Sequence, residues 1–178
     1  MNMNANVDDK LGFIFGRRSI RLYLSAEVSE AVVQKLLEAA MAAPSAVAKD
    51  PWRFVVIRNR RTLSEISAAL PNGQMIADAA LGIAVCGDLQ AAHDQQLSYL
   101  LQDCSAAIEN LLLCAHIFGL GACWLGVHPR EQRMNALKQI LLLPPSVIPV
   151  ACIAIGYPAE AKEPRTRFSQ DYVHFEKW

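Results

Sequence analysis

Net charge is missing from this chain. Among 178 residues, seventeen Lys and Arg are balanced by seventeen Asp and Glu. A protein that grips nucleic acid needs surplus cations to displace counterions, so that class is excluded. Charge of either sign is scarce, at 19% against the ~25% usual for soluble domains. Disorder is excluded too, because it requires low hydrophobicity and 53% of these residues are apolar. No pair among Cys86, Cys104, Cys114, Cys123 and Cys152 has CxxC spacing, and the count is odd. Buried free thiols in a reducing, cytoplasmic compartment are expected rather than a disulfide framework. The opening MNMNANVDDK holds no apolar stretch before a small-residue cleavage site, so it reads as no signal peptide.

Catalytic signatures are missing as well. His93, His116, His128 and His174 have no metal-ligand spacing, and no HExxH occurs. Neither a GxSxG elbow nor a P-loop is present. The glycine-rich stretch Gly119 to Gly126 does not fit GxGxxG and lies between a helix and a strand, the wrong order for a dinucleotide fingerprint. No residue announces a nucleophile, so an enzyme made from this chain leaves its chemistry to a cofactor. A twenty-residue run without formal charge, Asn110 to Pro129, is long enough to span a bilayer. However, Gly119-Leu120-Gly121 breaks it, and Asn110, His116 and His128 are polar. A buried helix followed by a buried strand explains it better.

What is present reads as a single domain over residues 1–178, a mixed α/β chain with at least four strands separated by helices. Residues 1–10 are expected to be flexible, with Asp8 or Asp9 able to cap a short helix through Phe15. Ser29 caps a helix whose apolar positions Val32, Val33, Leu36, Leu37, Ala40 and Met41 follow i, i+3, i+4 spacing. Strands are predicted at 54–57, 80–86, 122–127 and 148–155, and further helices at 62–70, 95–118 and 130–141. The 80–86 run is apolar on both faces, which places it inside a sheet. Residues 159–178 form a polar arm carrying Phe168, Tyr172, Phe175 and Trp178, expected to dock these rings elsewhere. The apolar surplus over so little charge points to a buried interface or a large cofactor.

Two cationic clusters stand out. In an extended segment, Arg17, Ser19 and Arg21 share one face, with Arg18 between them. A planar guanidinium fork suits phosphate. Arg165 and Arg167 form a second cluster near the C-terminus. Taken alone, the first cluster is better explained by a solvated loop. Ala43-Pro44-Ser45-Ala46 follows a helix stop and is small enough for close approach to a flat ligand, though on its own an ordinary connection accounts for it better. Gly126, at a strand end, lets backbone groups approach a ring edge.

Taken in order, Arg17-Arg18-Ser19-Ile20-Arg21, Ala43-Pro44-Ser45-Ala46 with Pro51-Trp52, Gly119 through Gly126, Ile155-Gly156-Tyr157-Pro158 and the tail Val173 to Trp178 resemble the nitroreductase family of flavin enzymes, in its short single-domain form. The resemblance covers about Phe15 to Trp178. It implies an α+β fold with a mostly antiparallel sheet flanked by helices, in an intertwined homodimer that exchanges C-terminal arms. It implies FMN at the dimer interface and NAD(P)H as co-substrate. Electrons would pass to a nitroaromatic, quinone or similar small-molecule acceptor by ping-pong turnover, with no nucleic acid or membrane partner. It assigns Arg17, Arg18 and Ser19 to the phosphate and ribityl chain. Arg21 is assigned to the pyrimidine edge, as electrostatic stabiliser of the charge that reduction leaves there. Pro44, Ser45 and Ala46 come from the partner subunit. Backbone at Trp124, Leu125 and Gly126 lines the ring, and Arg167, helped by Arg165, closes on the phosphate. The resemblance assigns no metal and no catalytic side chain. Many members carry Asn at the position of Ala48, where it hydrogen-bonds the flavin, and Gln at the position of Asp50. The same residues leave two other readings open: a flavin-binding protein without reductase turnover, and a structural dimer that has lost FMN.

Overall fold

The computed structural model describes residues 7–178; the expected flexible start lies outside the described residues over 1–6, and residues 7–10 open the first helix. Five helices and four strands follow: α1 (Val7–Gly16), α2 (Glu30–Met41), β1 (Trp52–Ile57), α3 (Arg60–Ala69), β2 (Leu81–Asp88), α4 (Leu97–Ile117), β3 (Gly121–Gly126), α5 (Glu131–Ile140) and β4 (Val147–Gly156). Ser29 caps α2 as expected, its side chain accepting the Val32 N–H. Asn59 does the same for α3 by accepting the Thr62 N–H, which moves that helix start two residues ahead of the sequence reading.

The strands form one sheet in the order β1-β2-β4-β3, with every neighbouring pair antiparallel. The α+β, mostly antiparallel architecture is therefore present. β2 and β4 occupy the middle, and they are the strands whose residues are buried almost without interruption. That explains why both read as continuous apolar runs rather than as alternating strands.

Each face of the sheet has its own core. On one face, α2 and α4 cover Leu81, Ile83, Val85, Ile153 and Ile155. On the other, α3 and α5 cover Ala84, Cys86, Cys152 and Ala154. Helix α4 buries Leu100, Cys104, Ala107, Ile108, Leu111 and Ala115 along one stripe. Its C-terminal end leaves Ile117 and Phe118 exposed. No helix among the described residues is long and apolar enough to cross a membrane.

After α1 the chain runs along the open side of β3. Ser19 makes a parallel bridge to Ala122, and the Ile20 N–H donates to the Ala122 carbonyl at 3.1 Å. Gly121 permits this approach, because a Cβ there would lie 2.6 Å from the Ile20 side chain. The segment then pairs with the residues after β4: Leu24 N–H donates to the Tyr157 carbonyl, and Ala159 N–H to the Leu22 carbonyl. These contacts place the first arginine cluster beside the second.

Candidate functional site

The two clusters meet. Arg17, Arg18, Ser19 and Arg21 line one cavity of about 510 Å³ together with Lys162, Arg165 and Arg167. Five guanidiniums and an ammonium face it, and among the described residues no carboxylate lines it. Arg17 is steadied by Glu109 of α4, 3.1 Å from its Nε. Arg18 donates to the Glu163 backbone carbonyl. Arg165 is tied through its own N–H to the Phe15 carbonyl at 3.1 Å. Cations gathered this densely repel one another unless a polyanion sits among them, and guanidiniums match phosphate oxygens in geometry. Lys162 was not singled out in the sequence; its place in a short polar stretch between Pro158 and Arg165 offered no pattern to notice.

From this cavity β3 leads away. Ser19 lies beside Ala122, and Gly126 is four residues further on, about 13 Å at the usual strand rise. Trp124 and Gly126 share a strand face, being two residues apart. Trp124 is 37% exposed, and nothing lies within 4 Å of a Cβ built on Gly126. Leu125 points the other way into the core, so only its backbone is available to a ligand. An anion seat at one end and an open, backbone-lined shelf at the other suit a phosphorylated cofactor with a flat ring.

Pro44, Ser45 and Ala46 do not line this cavity within one chain. Their loop is pinned at two points. The Ser45 hydroxyl donates to Asp50 Oδ1 at 2.5 Å and accepts the Asp50 N–H at 3.1 Å. The Ala46 N–H donates to Oδ1 of Asp103, a buried residue of α4, at 2.9 Å. Among the described residues, Asp103 Oδ2 has no hydrogen-bond partner. Between these pins, Val47, Ala48 and Asp50 take left-handed backbone conformations with φ of 53°, 51° and 49°. Sequence reasoning missed Asp103, although an acid on the apolar stripe between Leu100 and Ala107 was a visible signal.

The remaining reactive groups are spent on packing. All five cysteines are free thiols. Burial pushes the thiols of Cys86 and Cys104 up to about 12, and that of Cys152 further still, so none is a thiolate nucleophile at neutral pH. Burial also raises the Tyr23 phenol, which stays protonated and donates to the Ile20 carbonyl at 2.7 Å. Among the described residues no three His, Cys, Asp or Glu side chains are grouped to hold a metal.

The family model for the nitroreductase family matches residues 14–157. The chain belongs to that family. A relative from Archaeoglobus fulgidus, named "Putative NADH dehydrogenase/NAD(P)H nitroreductase", is 42% identical over 175 residues, covering 97% of this chain and all of its own. A solved nitroreductase-family structure of the same name from Bacteroides thetaiotaomicron superimposes with a TM-score of 0.89 at 37% identity, covering 94% of this chain and 97% of that one. A structure described as an FMN-dependent nitroreductase, from Clostridium difficile, has a TM-score of 0.86 at 29% identity over 94% of this chain and 99% of that one. In this nitroreductase-family chain the two arginine clusters and Lys162 line one cavity, and Ser45 is bonded to Asp50.

Proposed function

We propose that this chain is an FMN-dependent oxidoreductase of the nitroreductase type, working as a homodimer with NAD(P)H as co-substrate. The observation that carries this is the convergence of Arg17, Arg18, Arg21, Lys162, Arg165 and Arg167 on one cavity beside the open shelf of β3. Those residues fit FMN: the cations match its phosphate, and the space over Gly126 accepts a ring edge without a Cβ in the way. When bound, FMN supplies the redox chemistry, taking hydride from NAD(P)H and passing electrons to an electron-poor acceptor such as a nitroaromatic or quinone in alternating half-reactions.

The protein's part is to bind, orient and bias. Arg17, Arg18 and Ser19, with Arg165 and Arg167, hold the phosphate end. Arg21 lies at the far side of the same segment, where its fixed charge favours an electron-rich ring over a neutral one. Backbone at Trp124, Leu125 and Gly126 forms the shelf. Following the family resemblance, Pro44, Ser45 and Ala46 reach the partner subunit's ring; within their own chain they do not line the cavity. The exposed rings of Phe168, Tyr172, Phe175 and Trp178 favour an arm, residues 159–178, that lies against a second copy. The five free thiols suit a cytoplasmic setting.

The test is a comparison of FMN with riboflavin. Flavin fluorescence should quench on adding the wild-type chain to FMN, and far less with riboflavin, which lacks the phosphate. Equal affinity for the two would remove the phosphate seat from the reading.

A further inference from the structure

The cavity is held open by a strap that the redox reading does not itself require. As the chain leaves β4, residues 159–165 run back along residues 22–15 in antiparallel order. Ala159 N–H reaches the Leu22 carbonyl, and Arg165 N–H reaches the Phe15 carbonyl. Between them stand two side chains. Glu160 Oε1 accepts the Arg21 N–H at 2.5 Å and the Leu22 N–H at 3.3 Å. Lys162 Nζ donates to the Ser19 carbonyl at 2.7 Å and pairs with the same Glu160 oxygen at 3.1 Å. The Ile20 N–H is taken by Ala122 and its carbonyl by Tyr23. Thus the backbone polar groups from the Ser19 carbonyl to the Leu22 carbonyl, other than the Arg21 carbonyl, are engaged, and Glu160 and Lys162 engage three of them.

Resting on the FMN reading above, we infer that Glu160 and Lys162 form a clasp that positions Ser19 and Arg21 for the bound phosphate and pyrimidine edge. Both are positioning residues. Lys162 also adds a charge directly to the cavity it lines. The pair is substantially shielded, with side-chain exposures of 20% for Glu160 and 25% for Lys162. It is therefore unlike an exposed ion pair, which contributes little. The clasp explains a feature that electrostatics alone does not: an acid sits at the edge of a phosphate-seeking cavity, where it repels the ligand. Its use is mechanical. Two backbone N–H groups and an ammonium converge on one oxygen, and this fixes the turn from which Arg21 projects.

The two roles predict opposite signs for Glu160→Ala. If Glu160 acts only as a charge, removing it strengthens FMN binding. If it is the clasp, removing it frees the Arg21 turn and weakens FMN binding. The experiment is a flavin-fluorescence titration of the full chain with FMN and with riboflavin, beside its thermal midpoint without flavin. For Glu160→Ala we expect the FMN dissociation constant to rise about ten-fold, as for loss of charge-assisted hydrogen bonds. Riboflavin binding should change less. Glu160→Gln, which keeps an acceptor oxygen, should recover part of the loss and guards against a misfolded Ala variant. Lys162→Met should weaken FMN binding, with Lys162→Arg restoring most of it. Tighter or unchanged FMN binding by Glu160→Ala overturns the clasp while leaving the FMN reading intact. Failure of the wild-type chain to bind FMN overturns that reading, and the clasp's role with it.

Discussion

The hydroxyl of Ser45 and the carboxylate of Asp50 close a loop on themselves, with the hydroxyl donating at 2.5 Å and the Asp50 N–H returning to it at 3.1 Å. The family resemblance leads one to expect Gln at this position; here an acid stands at φ 49°. Asp tolerates left-handed backbone better than Gln does, because its short side chain bonds locally. Asp50 is therefore a structural latch, and its partner is Ser45. Ser45→Ala should lower stability by about 1 kcal/mol, the worth of one such bond, and Asp50→Gln by at least as much. Urea denaturation checks both; an unchanged midpoint in Asp50→Gln would refute the latch.

Ala48 stands at φ 51°, a conformation that costs most L-residues roughly 1–2 kcal/mol and that Asn adopts more readily. The Asn that the resemblance leads one to expect would suit this backbone and offer an amide, and Ala48 does neither. Ala48→Asn should raise stability by about 1 kcal/mol and tighten FMN binding, since it supplies an amide on the loop assigned to the partner's flavin. A destabilised Ala48→Asn variant would contradict the loop geometry.

Arg167→Ala should raise the FMN dissociation constant about ten- to a hundred-fold, from roughly 1.5–3 kcal/mol per hydrogen bond to a charged group. Riboflavin binding should scarcely change, so the preference for FMN collapses. Arg17→Ala should cost more, because it also strands Glu109, its 3.1 Å partner. Rising salt should weaken FMN binding by the wild type more steeply than by either variant. Fluorescence titrations at two salt concentrations read all of this.

The Glu160 carboxyl is held below the ordinary glutamate value, first by the Arg21 backbone N–H and then by Lys162 beside it. A group whose folded value is lowered stabilises the fold above its unfolded value, and that stabilisation is lost as the pH falls through the folded value. The stability gap between wild type and Glu160→Gln should therefore be constant from pH 7 down to about 4.3, the unfolded glutamate value, and close below it. Thermal melts across that range test the sign; a gap that widens on acidification would contradict it.

Much of this architecture was written into local pattern. The i, i+3, i+4 spacing of Val33, Leu36 and Ala40 marked the buried face of α2, and the unbroken apolar runs of β2 and β4 marked the sheet interior. The two arginine clusters were visible as clusters, but only the family resemblance, and no local pattern, put them on one phosphate. Their meeting depends on the antiparallel strap after β4, whose hydrogen bonds span some 140 residues of sequence, such as |i−j| = 143 for Lys162 and Ser19. Asp103, an acid on an apolar stripe, went unread, because its partner, the Ala46 N–H, lies 57 residues away. Val47 at φ 53° was illegible for another reason: a β-branched residue argues against the conformation it adopts.

The central claim is that this chain holds FMN and passes electrons through it. The most direct measurement is the visible absorption spectrum of the purified protein loaded with FMN and freed of excess, followed by NADH or NADPH under nitrogen. The account predicts a yellow protein that bleaches with one or both nucleotides and regains colour when menadione or a nitroaromatic is admitted. A protein that stays colourless after FMN is offered, or a yellow one that neither nucleotide bleaches, would contradict it.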